Sequence, residues 1–319
     1  MDILADIFRE AGLQRRLLDM RHLATGRALR FPCDRSLGFH VVLEGTAWVH
    51  SPSLAEPIEL HAGDIAVMGR GCDHLLAAEP DVSALPTEAI TLAHDGFAPA
   101  GSEGTVVSGA YQLWNTPLHP LFAELPEWHV VRAERTTRLE PMGLALSMLA
   151  AEVQQDALGR ESIVHGLVDV LFTYLVRDIV ARRGSEGHAS WSHAVADTQV
   201  RRAVAALHED CARAWTLESL ARAVNLSRSV LAERFRDAMG DTPLSYLRTV
   251  RLQRAMHLLA DGNQTLEQVA LAVGYHDAFG FSKAFKRAVG VSPGEYRKRN
   301  QAERSLPWRF TAQDAVSAG

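Results

Sequence analysis

The chain has 319 residues, 47% of them hydrophobic and 22% charged, with 13 prolines and 3 cysteines. That length exceeds one ordinary core and suits two domains of about 100 to 200 residues each, and the composition excludes fibrous, disordered and disulfide-stapled classes. The net charge of -5 is unevenly spread: residues 201–300 carry 16 Lys and Arg against 10 Asp and Glu, the remainder 17 against 28. Only the basic stretch suits a polyanion such as nucleic acid, although an excess of six is also common on solvated helices.

The opening MDILADIFREAG has acids where a secretory leader has lysines and no apolar core before a cleavage site, so no export signal is expected. Residues 20–110 consist of short apolar runs such as FHVVLEGTAWVH and PIELHAGDIAVMG, separated by Glu44-Gly45, Ser51-Pro52 and Ala62-Gly63-Asp64. This spacing predicts a small antiparallel barrel or sandwich. From Pro141 the period changes, and Ile163, Leu167, Val170, Leu171, Tyr174 and Ile179 recur at helical spacing on one face, predicting two helices across 141–183. The run from Ser162 to Val176 is broken by His165 and Asp169 and is too short and polar to span a bilayer. A cytoplasmic chain without a membrane partner is the expectation. The small polar run Gly184 to Ser190 marks a linker, so the expected organisation is an N-terminal domain over 1–183, a linker over 184–196, a basic domain over 197–300 and a tail over 301–319.

The basic domain contains a duplication. TLESLARAVNL from Thr216 is echoed by TLEQVALAVGY from Thr265, an offset of 49 residues. After one inserted residue, Leu231, Phe235, Gly240, Pro243 and Tyr246 match Phe281, Phe285, Gly290, Pro293 and Tyr296. Each copy predicts a short helix, a tight turn at Asn225 or Gly274 where positive φ is tolerated, an N-cap at Ser227 or Asp277, and a second helix. Leu231 and Phe235 point inward, leaving Ser229, Ala232, Glu233 and Arg236 outward; Phe279, Ser282, Lys283 and Lys286 repeat that outward stripe.

The run from SRSVLAERFRDAMG to VALAVGYHDAFGFSKAFKRAVGVSPGEYR resembles the signature of the AraC/XylS transcription regulators, over about Asp197 to Asn300. The resemblance implies two helix-turn-helix units joined by one long helix, which in this chain begins at Thr242-Pro243 and runs to about Leu259, a bipartite site read in successive major grooves about 34 Å apart, and double-stranded promoter DNA as partner, with RNA polymerase added where the regulator activates. Arg228, Arg236, Lys283, Lys286 and Arg287 are the candidate phosphate or base-edge contacts, with Ser229 and Ser282 beside them. Glu233 suits either a cytosine amino group or a neighbouring arginine. Ala232 and Phe279 offer apolar contacts to thymine methyls or to the interior, and the interior is the favoured place for Phe279. Phe235, Phe285, Tyr246 and Tyr296 are read as structural.

FHVVLEGTAWV and LHAGDIAVMGRGCDHLL resemble the two cupin half-motifs, found in the sensor domains of one branch of that family. The implied fold class is therefore α+β, a cupin-like barrel followed by an all-α domain, and the implied function is a non-enzymatic regulator answering a small-molecule effector or chemical stress. Metal-binding cupins place His-x-His and a glutamate in the first half-motif; in this chain Val42 stands where the second histidine belongs. No cofactor is expected to be required, and a metal ion on a reduced set of His40, Glu44, Cys72 and His74 is the alternative to pocket or packing histidines. His61 precedes a turn and is expected exposed. Cys33 and Cys72 form a thiol switch if their Cα atoms come within about 7 Å, and otherwise are free thiols; Cys211 is read as helix filler. Ser108-Gly109-Ala110-Tyr111 and Leu118-His119-Pro120-Leu121 resemble the same branch, with Ser108 where its pattern has cysteine. The face at Leu167, Leu171 and Leu175 suits either a homodimer seam or the domain's own core.

Overall fold

The computed structural model of the chain describes residues 3–10, 13–32, 36–89, 103–112, 118–136, 139–153, 157–183, 191 and 196–304. They divide into a sheet unit, from residues 14–112 and 125–179, and a helical unit, from residues 1–13, 113–124 and 180–306.

The sheet unit holds nine strands among the described residues: β1 (Gln14–Leu23), β2 (Ala28–Pro32), β3 (Ser36–His50), β4 (Ile58–His61), β5 (Ile65–Met68), β6 (Asp73–Ala77), β7 (Thr87–Ala89), β8 (Gly104–Gln112) and β9 (Trp128–Val131). They form one sheet in the order β1-β8-β3-β6-β2-β7, with β4 and β5 also on β3 and β9 on β5. The curled half-barrel matches the expected cupin-like architecture. β3 is its spine, and its first seven residues, Ser36 to Val42, are all buried; β8 pairs along one edge and, from Gly38 to Val41, β5 along the other. A strand buried on both faces loses the in-out alternation of a half-exposed one. A bulge between Val42 and Glu44 ends this stretch and leaves Glu44 exposed. Gly45 follows at φ 71°, where a Cβ would fall 1.9 Å from the Glu103 carbonyl oxygen; only glycine fits so close a backbone approach.

Asp64, in the turn before β5, is buried and braces that turn. Its carboxylate accepts from the amide N–H of Ala133 at 2.8 Å, from that of His61 at 3.1 Å and from the Arg132 guanidinium at 2.8 Å. Burial works against ionisation, but these donors outweigh it and hold the carboxyl below its usual pKa.

Two short helices, α1 (Ile3–Glu10) and α2 (Pro120–Ala123), precede the two expected ones, which are present as α3 (Pro141–Val153) and α4 (Arg160–Arg183). The inward face of α4 is shifted from the expected one: Val164, Leu167, Val168, Leu171, Phe172, Leu175, Val176 and Ile179 are buried, whereas Ile163 and Val170 are 44% and 43% exposed. Apolar spacing alone admits either register, and contact with β8 selects one. Phe172 stacks on Tyr111 with ring centroids 4.2 Å apart, and the Tyr111 hydroxyl donates to Asp169 at 2.7 Å. Leu167, Leu171 and Leu175 are therefore core residues of the sheet unit, and the dimer-seam alternative for that face is overturned.

The helical unit comprises α1, α2 and then α5 (Thr198–Glu209), α6 (Leu217–Ala223), α7 (Arg228–Met239), α8 (Pro243–Asp261), α9 (Leu266–Ala272), α10 (Ala278–Val289) and α11 (Pro293–Arg304). Asp197 caps α5 by accepting from the amides of Gln199 and Val200. Thr242 caps α8, the joining helix, with Pro243 in its first turn. Helix α1 packs against α5 and α8. Cys211 is buried in the turn after α5 rather than on a helix. Among the described residues, no helix is long and apolar enough to cross a membrane.

Candidate nucleic-acid interface

The two copies of the repeat build the same local structure from different side chains. Thr216 and Thr265 open α6 and α9 with reciprocal capping boxes, closed by Ser219 and by Gln268. Both helices end through equivalent backbone bonds, Leu226 N–H to Ala221 and Tyr275 N–H to Ala270, each 2.9 Å, around Asn225 at φ 57° and Gly274 at φ 80°. Ser227 and Asp277 cap α7 and α10, and Gly240 and Gly290 end them in the left-handed region. Leu231, Phe235, Phe281 and Phe285 are fully buried, as the duplication predicts.

This anchoring leaves the predicted stripes outward. On α7, Arg228, Ser229, Glu233 and Arg236 are exposed and Ala232 is half-buried; on α10, Lys283, Lys286 and Arg287 are exposed and Ser282 is half-buried. Arg234, adjacent to Glu233, pairs with Asp197 at 3.7 Å. Phe279 departs from its favoured reading: it is 82% exposed and is not core. Its place three residues before Ser282 puts it on the outward stripe, and Tyr275, 5.6 Å from Phe281, contributes the packing that Phe279 does not. Sequence reading treats Thr216 only as the start of the repeat and Ser227 only as a cap. They also line an open groove with Glu218, Arg228, Ser229 and Ala232, where the amide-rich start of α7 and a guanidinium suit a phosphate.

Residues 2–181 match the cupin family and residues 220–299 match the helix-turn-helix domain family. A protein of Streptomyces lividans described as an AraC-like transcription regulator is 32% identical over 280 residues, covering 86% of this chain and 91% of that protein. The chain belongs to the AraC family of transcription regulators. The HTH-type transcriptional regulator AlkR of Acinetobacter baylyi is 29% identical over 309 residues, 94% of this chain and 100% of that protein. This AraC-family member is a sequence-specific DNA-binding transcription regulator with a cupin-like N-terminal domain.

In that domain the half-motif histidines meet. His40 Nε2 and His74 Nε2 are 2.8 Å apart, His40 Nδ1 lies 2.7 Å from the Ser108 hydroxyl, and His74 Nδ1 lies 3.0 Å from the Cys72 carbonyl. The network fixes its own protons. A carbonyl only accepts, so His74 Nδ1 donates; the His74 Nε2 lone pair then receives His40 Nε2–H, and His40 Nδ1 receives the Ser108 O–H. Burial pushes the His40 pKa well down, with the nearby His74 adding to it, and burial lowers His74 to about 4. Both rings are neutral near pH 7. Phe31 stacks on His74 and Trp128 meets it edge-on.

The half-motifs thus bring two histidines together, with Cys72 meeting His74 through its carbonyl rather than its sulfur. The Cys72 thiol is half-buried, and burial raises its pKa, so the thiolate ligand form is disfavoured. Glu44 stays exposed beyond the bulge, and the described residues contain no group of three or more His, Cys, Asp or Glu side chains placed to hold a metal. Cys33 lies outside the described residues. His61 is exposed as expected. Ser108 enters the sequence reading only as a departure from cysteine; in the fold it donates to His40.

A second histidine network lies in the helical unit. His119 Nε2 is 2.9 Å from the Tyr246 hydroxyl on α8, and His208 Nε2 on α5 is 2.8 Å from the same oxygen. The Leu121 amide donates to His119 Nδ1 at 3.2 Å, so the His119 proton sits on Nε2 and donates to Tyr246, whose own hydroxyl proton is directed at His208. Burial first, and the neighbouring His208 second, hold the His119 pKa well below its ordinary value. Tyr246 is structural, as expected, but sequence reading gives it no polar partners; residues 127 and 38 positions away leave no local signal.

Proposed function

We propose that the cupin-like domain of this regulator answers a small-molecule effector or chemical stress and passes the response to promoter binding, acting in the cytoplasm without enzymatic activity and without a required cofactor. The observation that carries this reading is the place of His119. It follows Ser108 by eleven residues, and Ser108, on β8, holds the buried His40–His74 pair. One short run of chain thus carries both the polar centre of the barrel and the hydrogen bond to Tyr246 on the helix that joins the two DNA-reading units. Ser108 is joined to His119 by eleven residues of chain, and His119 reaches α8 through its hydrogen bond to Tyr246, a route by which a signal at β8 is coupled to DNA affinity.

Promoter DNA is the partner of the α7 and α10 stripes, with Arg228, Arg236, Lys283, Lys286 and Arg287 on phosphates or guanine edges, Glu233 toward cytosine, and Ala232 and Phe279 toward thymine methyls. RNA polymerase joins the complex where the regulator activates. A homodimer would use the outward apolar side chains of Leu144, Met148, Ile163 and Val170, since the Leu167 face is occupied.

The test is capture of fragmented genomic DNA by the full-length protein at about 150 mM salt, where nonspecific contacts weaken, followed by titration of the enriched fragment. Upstream fragments carrying two half-sites are expected from the wild type. Tyr246→Phe removes the hydroxyl shared by His119 and His208 and is expected to shift affinity within the 5- to 150-fold range typical of coupling (about 1 to 3 kcal/mol). Unchanged affinity in a correctly folded Tyr246→Phe protein would overturn the His119 route, and an absence of enriched sites would overturn the docking scheme.

A further inference from the structure

The two copies of the repeat differ at the turn between their helices, Asn225 in the first and Gly274 in the second. Positive φ does not account for the difference, because both turns have it and asparagine tolerates it. The surroundings do. Asn225 is exposed, whereas a Cβ on Gly274 would lie 2.5 Å from the Ala212 carbonyl oxygen and 2.7 Å from Arg251 Nη2. The second turn is pressed against the loop that leads into the first helix-turn-helix unit.

That loop is rigid. Trp215 Nε1 donates to the Asp210 carbonyl at 2.8 Å, the Asp210 carboxylate accepts from the Arg213 amide at 3.1 Å, and the Arg213 guanidinium lies over the Trp215 ring at 4.2 Å. Its carbonyls converge on one cation from the joining helix: Arg251 Nε donates to Cys211 at 2.8 Å and Nη2 to Arg213 at 2.9 Å. A forked guanidinium bridging two carbonyls has little rotational freedom left. Its outer edge is the surface against which Gly274 sits.

We infer that Arg251, Gly274 and the 211–213 carbonyls form a spacing lock, which sets the α10 reading helix relative to the α7 reading helix and thereby selects the separation of the two half-sites. Arg251 and Gly274 are positioning residues: neither is on an outward stripe, and each acts through the helices it holds. The lock accounts for glycine where the repeat alone accepts asparagine. It rests on the reading that both α7 and α10 dock on DNA.

The test uses the full-length protein on its captured site and on the same half-sites with the spacer changed by one and two base pairs. Gly274→Asn installs the residue of the first copy, which tolerates the turn but not the contact; Arg251→Met keeps the stem and removes the fork; Asn225→Gly is the reciprocal control. Wild type and Asn225→Gly are expected to prefer the captured spacing. Gly274→Asn and Arg251→Met are expected to lose about tenfold on that site, the worth of one charge-assisted hydrogen bond at tenfold per 1.4 kcal/mol, and to bind isolated half-sites as wild type does, so that their spacing preference flattens. Should Gly274→Asn fail to fold, as judged by circular dichroism, Arg251→Met carries the comparison. Wild-type affinity and spacing preference in the folded variants overturns the lock. A wild-type footprint confined to one half-site overturns the two-helix docking itself, and Arg236→Ala or Lys283→Ala then shows which helix reads.

Discussion

The first and second helix-turn-helix units are the same scaffold with different faces. Both use a threonine capping box, a residue at positive φ, a capped second helix, a left-handed glycine and a proline-started third helix. Outward, they diverge. The α7 face mixes Arg228, Glu233, Arg236 and Asp237, whereas α10 presents Phe279, Lys283, Lys286 and Arg287. The residues that make the fold are held in common because backbone geometry permits few alternatives, while the reading residues are free to differ because solvent imposes no packing. A mixed face suits discrimination among bases through paired donors and acceptors. A basic face with an exposed ring suits phosphate neutralisation and thymine contact.

The largest test of equivalence is removal of the buried aromatic in each copy. Phe235→Ala and Phe285→Ala are each expected to cost about 3 to 5 kcal/mol in urea unfolding. Each ring faces a partner tyrosine, Tyr246 at 5.8 Å and Tyr296 at 5.6 Å. The first tyrosine also holds His119 and His208, so Phe235→Ala is expected to be the worse of the two. A loss under about 1 kcal/mol in either would break the claim of a shared core.

A middle-sized effect separates the faces. Arg236→Ala and Lys283→Ala should leave the urea midpoint unchanged and weaken DNA binding. If Arg236 reads a guanine edge, its loss costs about 1 to 3 kcal/mol and relaxes preference at one base pair. If Lys283 holds a phosphate, its loss weakens all sequences alike and lowers the salt slope by about 1. The reverse pattern would exchange the roles assigned to the two faces, and unchanged affinity in both would remove the stripes from the interface.

The helical unit is legible in the sequence because its signals are local. Caps, turn residues and i, i+4 pairs all lie within one helical turn of the group they serve, and a second copy 49 or 50 residues later repeats them. The barrel is legible as strands and as an incomplete metal motif, but the partners of its histidines are not. His40 and Ser108 meet because β3 and β8 pair antiparallel in one register, and no spacing rule encodes that pairing. The α4 face reads one register away for the same reason: Ile163 and Val170 fit the periodicity as well as Val164 and Val168, and only contact with β8 decides. Hydrophobicity draws Phe279 inward, and that rule fails in this chain, where the ring is 82% exposed. Arg251 and Gly274 give no signal, since an arginine on a helix and a glycine in a turn are unremarkable until the 211–213 carbonyls are placed beside them.

The smallest expected effect tests whether the first unit's cap has a second role. Thr216→Ala and Thr265→Ala each remove the oxygen that accepts from Ser219 N–H at 3.0 Å or Gln268 N–H at 3.2 Å, and each should cost about 1 kcal/mol of stability, with Thr→Ser close to neutral. Equal losses at an unchanged urea m-value would confirm that the boxes are interchangeable parts of one scaffold. Thr216 also lines the groove with Ser227, Arg228 and Ser229. If a DNA phosphate enters that groove, Thr216→Ala lowers affinity at a temperature where the protein remains folded, and Thr265→Ala does not. Parallel loss of affinity in both variants would trace the effect to helix fraying, and the groove at the start of α7 would then be a consequence of the turn rather than a contact with DNA.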